Sequence, residues 1–245
     1  MQKIPKVIHQ IWLGGKPLPQ TFQKYRETWV EKNPEWDFIL WTEKNLNNIG
    51  WLDRKKLDIL CHPAIKSDYL RFLIIKEFGG VYIDIDFECL KPLNTLLNDV
   101  GIFIGEYREG EYLPNGFFGA NKNHKLIQEI CTAMKIRISK KNILKHPLNT
   151  LIWPVFIDKY FRWYKWKDLK IFKKEIFYPI HWSIYYPGIT IPKNLLAVSF
   201  AHHHAAASWV KMTNTQRLKQ KLLTYKVFQI TYKYVWGPLK KYMYE

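Results

Sequence analysis

The sequence predicts an α/β domain built on a largely parallel sheet, followed by a basic, aromatic-rich helical extension. Three observations carry that expectation. Val7 to Trp12, Thr21 to Glu31 and Trp36 to Trp41 read as strand, helix and strand, the spacing of a right-handed parallel unit. An apolar stretch from Ile65 to Phe78 contains no helix breaker and runs into Gly79-Gly80, then into Val81-Tyr82-Ile83-Asp84-Ile85-Asp86. Beyond Thr215, leucines and aromatics recur at a ragged helical spacing among lysines and arginines.

In chain order, Val7 to Trp12 is β-branched and apolar enough for a buried first strand, closed by Gly14-Gly15-Lys16-Pro17. The helix at Thr21 to Glu31 ends at Asn33-Pro34, and Trp36 to Trp41 forms the second strand. Asn45 to Ile49 connects to a helix over Trp51 to Leu60. The helix from Ile65 to Phe78 is apolar nearly all round, so it is buried on most sides. Gly79 and Gly80 stop it, since glycine accepts the left-handed backbone of a helix cap. Val81 to Asp86 alternates with period two, which places Asp84 and Asp86 on one face of a strand. Leu93 to Leu97 reads as a short helical turn, Gly101 to Gly105 as a strand, and Asn115 to Ala120 as a glycine-rich turn and β-edge. His124 to Arg137 has helical spacing, and Phe177 to Trp182 and Ala197 to Ala201 are the expected late strands. Parallel sheets place ligands beyond the carboxyl ends of their strands, where Trp12, Trp41 and Asp86 fall.

Composition narrows the class of partner. Net charge is +17, with 38 Lys and Arg against 21 Asp and Glu, and the excess is lopsided. Residues 1–100 hold 13 of the 21 acids, whereas Val210 to Tyr244 carries eight basic residues and no acid. An anionic partner is therefore expected for the second half. Cys61, Cys89 and Cys131 have no metal-type spacing and read as reduced, buried thiols of a cytosolic protein. Met1 to Pro5 lacks the apolar core of a signal peptide, and no apolar stretch approaches a membrane span.

Aspartate is depleted in strands, so two on one face of an apolar strand need a reason. On the preceding helix, Asp68 and Arg71 are three residues apart and share a side. Four charged groups thus converge near one strand end, and paired carboxylates suit a hard divalent cation with positions left for phosphate. Here the chain resembles a known family. Ser67-Asp68-x-x-Arg71, the Gly-Gly turn and Val81-Tyr82-x-Asp84-x-Asp86 resemble the donor site of family 32 glycosyltransferases. That group includes yeast-type alpha-mannosyltransferases and bacterial capsule and lipopolysaccharide transferases, and clostridial toxin glucosyltransferase domains carry a similar site. The resemblance extends from Ile4 to Trp209.

What the resemblance implies is a GT-A-like (Rossmann-like) nucleotide-sugar-binding domain over residues 1–209, with residues 210–245 as a basic amphipathic helical tail. It implies Mn2+ or Mg2+ and a UDP- or GDP-sugar donor. Asp86 would hold the cation, Asp84 would reach donor ribose or sugar partly through the metal, and Asp68 and Arg71 would orient sugar hydroxyls. Ser67, Tyr82 and Asn115 belong to the same donor-binding motifs, with Asn115-Gly116-Phe117-Phe118-Gly119-Ala120 lining the floor near the transferred sugar. Trp12 would flank the base, although it reads equally as a core residue, and Trp41, at a strand end beside the crevice, is expected among the cofactor-binding residues. His9, inside the first strand, reads as a satisfied core histidine. A His-His pair followed by Ser-Trp in the family matches His203, His204, Ser208 and Trp209, which would close over cation and diphosphate. Neighbours on a strand alternate faces, so His202, His203 and His204 cannot all reach one metal. Which imidazole matters stays open, as does a solvated turn.

The implied reaction is hexosyl transfer with retention to a glycan or lipid-linked saccharide, in surface polysaccharide synthesis on the cytoplasmic face of the membrane. The tail suits an anionic bilayer surface or packing on the domain. Tyr160 to Lys167 interleaves basic and aromatic residues, which suits an acceptor saccharide, a membrane or nucleic acid. No recognised nucleic-acid module is present, so nucleic acid is not the expected partner. A protein acceptor and a non-catalytic basic binding protein are the competing readings. The second leaves Asp68, Arg71, Asp84 and Asp86 unexplained.

Overall fold

A computed structural model describes residues 3–47, 49–60, 62–107, 113–138, 167–180 and 191–204. Ser208, Trp209, Cys61, the segment Tyr160 to Trp166, Trp182 and the tail 210–245 lie outside the described residues.

Strand β1 (Val7–Ile11), helix α1 (Gln20–Lys32) and strand β2 (Asp37–Trp41) form the expected parallel unit, with Val7 opposite Asp37 and Ile11 opposite Trp41. The Trp51 to Leu60 segment forms only a short helix, α3 (Arg54–Ile59), after a four-residue α2 (Glu43–Leu46). Helix α4 (Pro63–Phe78) leads to β3 (Gly80–Ile83), which lies parallel to β1 on the side away from β2. Strands β4 (Phe87–Cys89), β5 (Ile102–Gly105) and β6 (Phe117–Ala120) follow, then helix α5 (Lys125–Ile138), β7 (Leu169–Phe172) and β8 (Ala201–His203). The main sheet runs β2-β1-β3-β6-β5-β7, with β6 antiparallel to both β3 and β5. Strands β4 and β8 pair separately as an antiparallel ribbon.

Apolar residues collect on both faces of the sheet. On one, Tyr69 to Ile75 of α4 pack with Tyr82, Phe118 and the inner face of α5. On the other, Trp29 of α1 packs with Val81, Ile83, Phe87 and Phe117. Consecutive β3 side chains therefore feed opposite cores, which fixes its register. Both described cysteines, Cys89 and Cys131, are buried and unbridged.

Helix α4 starts where Pro63 enters its first turn and the His62 ring nitrogen accepts from the Ala64 N–H. It ends at Gly79, but not in the left-handed cap expected. Gly79 adopts φ 68°, ψ −161°, a region open essentially to glycine alone, and turns the chain straight into β3. A Cβ on Gly80, at φ 94°, would lie 2.5 Å from the Val7 carbonyl oxygen, so the close approach of β3 to β1 also requires glycine.

The structure corrects three strands. β3 ends at Ile83, and Asp84 to Asp86 form a turn instead of continuing the strand. The Asp84 N–H donates to the Gly116 carbonyl and the Phe87 N–H to the Asp84 carbonyl, which bends the chain toward the second core. Phe177 does not open a strand: it closes a short helix, Lys174–Phe177, and its ring stacks on Phe117 at 4.0 Å. The strand expected over Ala197 to Ala201 starts at Ala201, because Pro192 leads into a short helix, Lys193–Leu196.

Candidate active site

The site forms where α4, the end of β3 and the turn before β6 meet. Arg71 is its hub. Its guanidinium is 5% exposed and lies 2.9 Å from Asp68 Oδ1 and 3.2 Å from Asp84 Oδ1. It also donates to the backbone carbonyls of Asn115, at 2.8 Å, and Ser67, at 3.3 Å, and its plane lies 4.6 Å from the centre of the Tyr82 ring. Burial alone would lower its pKa; the Asp84 and Asp68 carboxylates more than offset that and hold it charged. The Asn115 amide donates to Asp68 Oδ1 at 3.1 Å. Tyr82, the β3 residue facing α4, donates its phenol to Asp84 Oδ1 at 2.7 Å and lies 3.3 Å from the Ser67 hydroxyl. Its own pKa is pushed well up, chiefly by burial, so it stays a donor.

Ser67, Asp68, Arg71, Tyr82, Asp84 and Asn115 are thus brought into one contact network. Burial raises the pKa of Asp68, opposed by Arg71 and the Asn115 amide. Burial raises that of Asp84 too, opposed by Arg71, while the Asp86 charge pushes it further up. Asp86 faces the β4–β8 ribbon, where His203 Nε2 sits 3.3 Å from its Oδ1. The His203 ring stacks on Phe87 at 4.4 Å. Burial would lower the His203 pKa, but the Asp86 carboxylate, with Asp84 behind it, outweighs that and raises it. Asp84 and Asp86 thus present two mutually repelling carboxylates, whose oxygens suit a hard divalent cation, and His203 adds an imidazole beside Asp86.

The remaining expected residues divide. Trp12 is half-buried at the carboxyl end of β1, its indole N–H on the Lys16 carbonyl at 2.7 Å, and its ring meets Phe22 edge-on. Trp41 is turned into the core: it is 5% exposed, donates to His9 Nδ1 at 3.1 Å and packs on Trp51 and Phe78. The strand-end rule located its backbone, but its ring is spent on packing. His9 is a satisfied core histidine whose other nitrogen lies 3.0 Å from the Gly79 carbonyl, and burial lowers its pKa to about 4. His204 leaves the Asp86 side: its Nε2 is 3.0 Å from Glu88 Oε2 and its ring stacks on Tyr25 at 4.1 Å.

Glu88, which the sequence reading did not single out, continues the period-two acidic series of Asp84 and Asp86 and lies 3.0 Å from His204 Nε2. At Gly116, in the expected glycine-rich turn, a Cβ would meet Asp84 Oδ2 at 2.7 Å, so glycine leaves the carboxylate its place.

Comparison with known proteins follows this geometry. The family described as "Glycosyltransferase sugar-binding region containing DXD motif" matches residues 19–101, which include α1, β2, α4 and the Asp84–Asp86 turn. The chain is similar to inositol phosphoceramide mannosyltransferase 1 of Schizosaccharomyces pombe, at 30% identity over 137 residues, 53% of this chain and 42% of that protein. It is also similar to the uncharacterized glycosyltransferase L373 of Acanthamoeba polyphaga mimivirus, at 25% identity over 72% of this chain and 73% of that protein. Among solved structures, the PaToxG glycosyltransferase aligns with a TM-score of 0.53 and 21% identity over 65% of this chain and 69% of that one. The chain thus spans less than half of the S. pombe relative.

The fold matches that of a GT-A glycosyltransferase, and residues 19–101 match the DXD-containing sugar-binding region of glycosyltransferases.

Proposed function

We propose that the chain transfers a hexose from a UDP- or GDP-sugar, with a divalent cation and with retention, to a glycan or lipid-linked saccharide. The convergence of Asp68, Arg71, Asp84 and Asn115 at the end of β3, with Asp86 and His203 beside it, carries the reading. Asp84, Asp86 and His203 would hold the cation, which when bound supplies Lewis-acid neutralisation of the leaving diphosphate. Manganese suits this set better than magnesium, because one donor is an imidazole.

Asp68 orients the sugar hydroxyls, with its side chain still 27% exposed beside Arg71. Arg71 acts as a positioning residue, since its donors are used by protein acceptors and by the two carboxylates it fixes. Trp12, half-buried at the strand end, is offered to the base. Ser208 and Trp209 follow β8 in sequence and are proposed to close over the diphosphate. Among the described residues no carboxylate is set apart as a covalent nucleophile, and the family resemblance supports attack by the acceptor from the face the diphosphate leaves. The S. pombe relative is named for mannosyl transfer to an inositol phosphoceramide. That name supports mannose as the first donor sugar to test and a lipid-borne acceptor.

The basic segment 210–245 would bring the enzyme peripherally to an anionic membrane surface through its eight basic residues. A screen of nucleotide sugars with manganese, read by thermal shift and by release of nucleoside diphosphate, tests the reading. Stabilisation and turnover with one donor, both lost on chelation and in Asp86→Asn, are expected. No stabilisation by any nucleotide sugar would overturn it.

A further inference from the structure

The triple histidine does more than supply one ligand to the donor site. The geometry points to a second metal site, formed by Glu88, His202 and His204, that takes a borderline transition ion such as zinc. Register and alternation build it. Glu88 of β4 is paired directly with His202 of β8, and cross-strand partners share a face. His204 lies two residues beyond His202 and so returns to that face, whereas His203 faces Phe87 and Asp86 on the other. One ligand atom from each of Glu88, His202 and His204 lies within 4.8 Å of the other two. The two imidazole rings are 4.4 Å apart.

The Glu88–His204 contact and the Glu88–His202 strand pair bring both imidazoles to one carboxylate. The three donors stand on a paired ribbon whose far end is fixed by the His204 N–H on the Asp86 carbonyl at 2.9 Å. The His204 ring is held flat against Tyr25, which limits its rotation. Zinc with bonds of about 2.0–2.2 Å needs tetrahedral ligands roughly 3.3–3.6 Å apart. The ligand atoms, within 4.8 Å of one another, would close to that spacing around the ion. Two nitrogens and one carboxylate form the donor set of many zinc sites, with the fourth position left to water.

The two sites differ in chemistry. Asp84, Asp86 and His203 are oxygen-rich and suit the hard cation of the donor diphosphate, whereas Glu88, His202 and His204 are nitrogen-rich. Bound there, the ion would clip the end of β8 to β4 and hold His203 opposite Asp86. This inference does not depend on the transfer reaction, because it is read without any nucleotide.

The tag-free full chain, stripped with chelator, is titrated with zinc chloride by calorimetry without nucleotide. One tight equivalent is expected, and it should persist in Asp86→Asn. Glu88→Gln and His202→Asn, each checked for native circular dichroism, should weaken binding at least about tenfold. Asp86→Asn should bind zinc as the wild type does. Cobalt added to the stripped wild type should give the intense visible bands of a four-coordinate ion, a readout that needs no variant. Zinc affinity unchanged in folded Glu88→Gln or His202→Asn, loss in Asp86→Asn, or a weak six-coordinate cobalt spectrum would each overturn the proposal.

Discussion

Replacing Arg71 by methionine keeps most of the aliphatic volume and removes the charge that Asp68 and Asp84 share. The guanidinium is 6% exposed at its side chain, against 27% for Asp68 and 30% for Asp84. Breaking a buried pair by removing one partner costs about 3–5 kcal/mol. The partial exposure of both carboxylates lets water recover some of that, so the low end, about 3 kcal/mol, applies. For a chain of this size, that is roughly 6–12 °C in Tm. The pH dependence gives a sharper check. Arg71 opposes the burial that raises both carboxylate pKa values, so in the variant both rise further. A carboxylate raised in the folded state costs stability above its unfolded pKa and regains it as pH falls through the folded value. The variant should regain more than the wild type, so the gap is full at pH ~7.5 and narrows as pH falls toward the ordinary carboxylate value of 3.8. Urea unfolding followed by tryptophan fluorescence at several pH values measures this. An unchanged midpoint at neutral pH, or a gap that widens on acidification, would refute the assignment of Asp68 and Asp84 as the partners that Arg71 neutralises.

Asp86→Asn should reduce manganese-dependent transfer by about 10²–10³-fold, a few kcal/mol of charge stabilisation, with native circular dichroism retained; near-normal turnover would remove Asp86 from the site. Gly116→Ala places a methyl 2.7 Å from Asp84 Oδ2 and should lower transfer by roughly tenfold or more while the chain still folds, since displacement of about 1 Å suffices. Normal kinetics in that variant would show that Asp84 has slack. Truncation after Trp209 should sharply reduce co-sedimentation with anionic liposomes and spare donor hydrolysis. With each basic residue near the surface contributing about 1 kcal/mol, binding by the full chain should fall with added salt; indifference to salt and lipid charge would exclude the electrostatic account.

Local chemistry made the first half of the fold legible. The β1–α1–β2 unit follows from apolar runs separated by Gly14-Gly15 and Asn33-Pro34, and α4 from an unbroken apolar run stopped by two glycines. The errors lie where a distant partner decides. Period two carried the strand through Asp86, but the bend after Ile83 depends on a hydrogen bond to Gly116, over thirty residues on. Asn115 to Ala120 read as a turn and β-edge, but strand β6 lies inside the sheet between β3 and β5, because antiparallel insertion is decided by pairing with distant strands. Strand β7 was hidden in a run of basic and aromatic residues, since as a sheet-edge strand it leaves Lys170 and Ile171 exposed. The strand-end rule placed the Trp41 backbone correctly and said nothing of its ring.

The bend also changes what the Asp-x-Asp pair means. On a continuous strand, Asp84 and Asp86 would be near-equivalent neighbours serving one ligand. The turn separates their surroundings: Asp84 is tied to Tyr82 and Arg71 on the α4 side, while Asp86 faces His203 on the β4–β8 ribbon. Burial is the first cause of the raised Asp84 pKa, and the Asp86 charge pushes it further up, so the two carboxylates still feel one another. One carboxylate is thereby coupled to the residues proposed to hold the sugar, and the other to those proposed to hold the diphosphate through its cation. Substituting the two should therefore fail differently. Asp84→Asn loosens Arg71, and with it Asp68 and the Asn115 loop, so sugar selectivity is lost together with turnover and metal response. Asp86→Asn leaves that network intact and removes the response to metal. Such a split between the two variants, read as donor-sugar discrimination against manganese dependence, is what the bent geometry requires and a straight strand would not produce.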